Sequence, residues 1–168
     1  MRTFGLIHHF EILLRNAIDG ALGKSQPQLP ITATWLLDFE ALRLDGIRQV
    51  IGAIGRLERG KGVTRDRVVA GLPFSFWTDL FGRRYENLWR QRLHAAFPHG
   101  TLTRKEIGVR LKRIQRLRNR VAHHDSLLGQ DVISCLEEML AMAAWIDPAA
   151  RGWLESRSDA LETARRVN

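Results

Sequence analysis

The chain has 168 residues, 45% of them hydrophobic, which suits one domain with a real core and excludes a disordered polypeptide. It carries 26 Lys and Arg against 18 Asp and Glu, a net charge of +8 that favours anionic partners, either nucleic acid or acidic membrane surfaces. A single cysteine, Cys135, excludes an internal disulfide and a multi-cysteine zinc site. No apolar run approaches the roughly 20 residues needed to span a bilayer. Arg2 is soon followed by His8, His9, Glu11 and Arg15, which is not the pattern of a secretory signal, so a cytoplasmic protein is expected.

In chain order, almost every ordered stretch reads at helical period. Leu6, Ile7, Phe10, Leu13, Leu14, Ala17, Ile18 and Ala21 form one apolar stripe, with His8, Glu11, Arg15 and Asp19 off it. Lys24 to Thr34, with Pro27 and Pro30, reads as a loop. A second helix is expected from Trp35 to Leu57, with Phe39, Leu42, Ile47, Val50, Ile51 and Ile54 as its apolar positions. Thr64 to Ala70 suits a short helix, and Pro73 introduces an aromatic turn of Phe74, Phe76, Trp77, Leu80 and Phe81. Tyr85, Leu88, Trp89, Leu93 and Phe97 continue at helical spacing to Pro98; Trp77 and Trp89 read as core rather than as base-stacking platforms.

Thr103 with Glu106 three residues on forms a capping box that opens a basic helix from about Arg104 to His124. Gly129 separates it from an apolar helix over Val132–Ile146, in which Cys135 reads as a buried thiol. Pro148 opens a last, polar helix over 148–168. No strand alternation persists, so residues 1–168 are predicted to form a single all-α helical bundle.

The chemistry concentrates in the basic helix. At about 100° per residue, Ile107, Leu111, Ile114, Leu117, Val121 and Ala122 share one stripe. Arg118 falls inside that arc, where a guanidinium requires a partner. Lys112, Arg113, Arg116 and Arg120 are expected on the far side as an RNA-binding face, together with His123; Asn119 precedes His123 by one turn. Cleaving RNA without metal requires a base for the ribose 2′-OH, a cation for the crowded phosphorane and an acid for the leaving oxygen. Histidine serves as base or acid near neutrality, and arginine forks onto two phosphate oxygens. The spacing of Arg118, Asn119 and His123 is by itself a weak pattern, since Arg2 precedes His8 and Arg92 precedes His99 at similar distances.

Three stretches together are more specific. His9-Phe10-Glu11-Ile12-Leu13-Leu14-Arg15-Asn16-Ala17, then Leu72-Pro73-Phe74-Ser75-Phe76-Trp77 with Leu80-Phe81, and finally Leu117-Arg118-Asn119-Arg120-Val121-Ala122-His123-His124 resemble the Abi-like (abortive infection) branch of the HEPN-domain ribonucleases over about Phe4 to Trp145. The resemblance implies an α-helical bundle that dimerises through the motif helices and a metal-independent endoribonuclease acting in phage defence or as a toxin. Arg118, Asn119 and His123 take the motif roles, and His124 is an accessory candidate. Glu11, Arg15 and Asn16 are candidates to orient Arg118 or brace the dimer. Relatives usually carry further helical sequence ahead of the segment matching His9 to Ala17, so an N-terminal helix is expected to be missing here.

No cofactor or metal is expected: the His8-His9 and His123-His124 pairs point about 100° apart on a helix, and no carboxylate cluster accompanies them. The expected partners are RNA, a second copy of the chain, and an antitoxin or other regulatory protein, with no membrane. Two rival readings stay open. One is an HEPN module that binds RNA without cutting it. The other is a helical interaction protein, which predicts no salt-dependent RNA binding.

Overall fold

A computed structural model describes residues 2–23, 30–58, 62–122 and 132–156. Among them the chain forms eight α-helices and no strand: α1 (Arg2–Leu22), α2 (Leu44–Glu58), α3 (Arg65–Gly71), α4 (Phe74–Asp79), α5 (Glu86–Gln91), α6 (Arg104–Ala122), α7 (Val132–Ile146) and α8 (Pro148–Ser156). The all-α architecture is the one the periodicity predicts. Residues 157–168, expected to prolong the last helix, lie outside the described residues.

The apolar stripe of α1 is its core face. Leu6, Ile7, Phe10, Leu14, Ile18 and Leu22 are buried, with Leu13, Ala17 and Ala21 packed at the margin. The helix touches α4, α6, α7 and α8, so the bundle assembles around it. Ile107, Leu111, Ile114 and Leu117 bring α6 onto the same core, and Cys135, Leu136, Met139, Leu140, Met142 and Ala143 bring α7. Trp77 is buried and Trp89 packs partly buried against the core, as predicted.

The second predicted helix is corrected. Trp35–Leu37 is a single 3-10 turn, and α2 starts only at Leu44. The Asp38 carboxylate explains the break: its Oδ1 accepts from the backbone N–H groups of Glu40 (2.8 Å) and Ala41 (3.3 Å), a local turn that competes with helix. Phe39 (72% exposed), within that turn, and Ile51 (56%), exposed within α2, leave the core stripe assigned to them. Trp35 and Leu36 are buried instead, and Trp35 Nε1 donates to Asp19 of α1 at 2.9 Å. The Tyr85 to Phe97 stretch is likewise not one helix. Two 3-10 turns, Arg83–Tyr85 and Leu93–Ala96, flank α5, and the backbone departs from helix at Arg92.

The capping box of α6 is present. The Glu106 N–H donates to Thr103 Oγ1 (3.3 Å), and Glu106 Oε2 accepts from the Thr103 N–H (2.8 Å). This fixes where α6 begins, and its four buried aliphatic residues fix its rotation. The register of everything downstream on that helix, Arg118 included, follows.

Candidate functional site

Arg118 emerges from α6 one residue after buried Leu117, at the edge of the core stripe. Its Nε donates to Glu11 Oε1 on α1 at 2.9 Å, with the two side chains 36% and 21% exposed. This pairing offsets the cost of holding a guanidinium against the apolar stripe. Among the described residues the bond engages Nε, which leaves the terminal nitrogens of the guanidinium outside it. Arg15 and Asn16 bond to each other (Arg15 Nε to Asn16 Oδ1, 3.3 Å) rather than to Arg118. Asn119 and Arg120 are exposed on the next positions of α6. His123 and His124 lie outside the described residues.

The basic face divides in a way the helical wheel does not show. Arg113, expected on the far side, faces α7: it donates to Glu138 Oε1 at 2.5 Å and to Ser134 Oγ at 3.4 Å. Arg110 reaches the same Glu138 oxygen at 3.4 Å and lies over the Trp145 ring, 5.6 Å from its centroid. Glu138 therefore clamps two arginines of α6 to α7. Lys112 donates to Asp79 at the end of α4 (2.6 Å) and to Gln115 (3.2 Å). Arg116 donates to the Lys112 carbonyl (3.3 Å) and is exposed. Of the four cations assigned to RNA, Arg113 and Lys112 are thus tied to carboxylates, while Arg116 and Arg120 are exposed on α6.

Of the two histidines on α1, His8 is exposed and His9 has structural surroundings. His9 Nδ1 donates to the Gly5 carbonyl (2.7 Å), which sets its tautomer, and its ring stands edge-on to Trp153 of α8 at 4.9 Å. Among the described residues no group of three or more His, Cys, Asp or Glu is placed to hold a metal, and no helix is long and apolar enough to cross a membrane.

Two anchoring acids escaped the sequence reasoning. Asp19 pairs with Arg65 of α3 besides accepting from Trp35, and Glu138 takes the clamp role above. Both were legible only as acids near apolar stripes. Near α6, the Glu86 carboxyl is held below the usual glutamate range, chiefly by the hydrogen bond from Arg104. Glu106 is held down by the Thr103 hydroxyl and backbone N–H. No known protein family, curated protein or solved structure matches this chain.

Proposed function

We propose that the chain is a metal-independent endoribonuclease of the HEPN type, acting as a homodimer through α6, with an abortive-infection or toxin role. The observation that carries this reading is the Glu11–Arg118 pair, 2.9 Å across two helices. A guanidinium held at one nitrogen and left with its terminal N–H groups is a preorganised fork for phosphate oxygens. An arginine serving only to join α1 to α6 would gain from engaging the carboxylate with both edges of the fork.

In the proposed reaction a base takes the proton from the ribose 2′-OH, and that oxygen attacks the adjacent phosphorus. The bond to the 5′-oxygen breaks, and this oxygen receives a proton from the acid. The products are a 2′,3′-cyclic phosphate and a 5′-hydroxyl end. Arg118 stabilises the phosphorane charge, and Asn119, exposed beside it, positions the phosphate or the imidazole. His123 supplies the base or the acid by its place in the motif. Neighbouring helical residues point about 100° apart, so Arg118 and Asn119 open to different sides. A second α6 related by a two-fold axis closes the cleft.

The test couples assembly to activity. Sedimentation is expected to show a dimer, and RNA cleavage per chain is expected to fall as dilution dissociates it. A fully active monomer contradicts the two-copy site. RNA binding with no cleavage by the wild type supports the binding-only module instead.

A further inference from the structure

A groove of about 730 Å³ runs along the outer face of α6, opposite its buried stripe, between that helix and the α4–α5 connection. Its lining includes Arg83, Arg104, Lys105, Lys112 and Arg116, against one carboxylate, Glu86. Arg104 is spent on Glu86 (2.6 Å), and Lys112 is tied to Asp79. Arg83, Lys105 and Arg116 are exposed, and no carboxylate pairs with them among the described residues. The floor is formed by Phe81 and by Gly108, where an added Cβ would meet the Phe81 carbonyl at 3.0 Å. Glycine there lets α6 approach the α4–α5 connection closely, and exposed Val109 adds an apolar wall.

Lys105, Lys112 and Arg116 lie on one face, at i, i+7 and i+11, so the row extends about 16 Å along the helix. One turn beyond Arg116 the same helix presents Asn119 and Arg120, beside Arg118. We propose that this groove is a second phosphate-backbone site, which holds a single-stranded segment of the RNA whose scissile phosphate lies at Arg118. The inference rests on the ribonuclease reading for its direction along α6, but its binding can be measured without cleavage. The excess of cations selects a polyanion. Exposed Val109 in the lining offers apolar surface to unpaired bases, which a duplex keeps stacked inside, and the shared helix leads from the groove to the motif.

The experiment uses the full chain and compares wild type with Arg83→Ala/Lys105→Ala, whose two exposed side chains belong to neither the motif nor the core. Fluorescence anisotropy of a labelled single-stranded RNA, long enough to reach from groove to motif, is followed across a salt series. Removing two phosphate contacts is expected to lower the slope of log K against log salt by about 1.4. Cleavage of a short oligonucleotide covering only the motif end is expected to stay at the wild-type rate, which also reports an intact fold. An unchanged slope in the double variant overturns the groove proposal, whatever the cleavage result. Equal losses toward duplex RNA or anionic vesicles overturn it too, because they describe an unselective basic surface. If the wild type cuts no RNA yet the double variant loses slope toward single strands, the catalytic reading fails and the groove stands.

Discussion

Glu11 Oε1 lies 2.9 Å from Nε of Arg118, joining residues 107 positions apart across α1 and α6. The contact turns a basic helix end into an oriented guanidinium. Glu11→Gln keeps the shape and removes the charge. It is expected to lower kcat/KM for RNA cleavage by about 10- to 100-fold, the scale of a misplaced catalytic group, while Arg118→Ala abolishes cleavage. Stability is expected to change by less than about 1 kcal/mol, because the pair is partly exposed. Wild-type kcat/KM in Glu11→Gln would remove Glu11 from the account.

Leu117, the residue before Arg118 on α6, is buried in the core. Leu117→Ala is expected to cost about 2–5 kcal/mol in chemical denaturation, from lost burial plus the cavity left behind. A loss below 1 kcal/mol contradicts the placement of α6 on the core.

The capping box predicts both a mutation and a pH effect. Thr103→Ala is expected to destabilise by about 1 kcal/mol. The folded-state pKa of Glu106 lies below its unfolded value, as does that of Glu86. Each therefore contributes stability that is present above the ordinary glutamate value, near 4.3, and is lost as pH falls through the lowered one. Thermal melts should show falling stability on acidification in that window, with a shallower fall in Glu106→Gln. An unaltered pH profile in that variant counts against the box.

Arg113 separates the two uses of basic charge on α6. Tied to Glu138 at 2.5 Å, it serves the α6–α7 contact. Arg113→Ala is expected to lower stability by about 1 kcal/mol and to leave the salt slope of RNA binding nearly unchanged. A slope loss as large as that of a free phosphate contact, about 0.7 for a single strand, contradicts this division.

Much of this arrangement was legible in the chain. The stripes of α1 and α6 and the Thr103–Glu106 box place both helices, and an arginine inside an apolar arc announces that it needs an acid. Glu11, off the stripe of α1, was already a candidate for that acid. The row of Lys105, Lys112 and Arg116 was equally open to helical spacing. What the pattern cannot supply is which side of α6 each neighbour occupies. Arg113 and Arg116 are both basic and three residues apart, yet only the packing of α7 makes one structural. Arg83 joins the groove from another element, which no local period reveals. Trp35 to Leu57 misled because apolar spacing persists through a segment where the Asp38 side chain has already captured the backbone N–H groups.

The most direct measurement is RNA cleavage in EDTA by the wild type, Arg118→Ala and His123→Ala. The account predicts that the wild type cuts with the chelator present, leaving 2′,3′-cyclic phosphate ends, and that both variants are inactive while still folded. Wild-type cleavage abolished by the chelator, or cleavage retained in both variants, would contradict it.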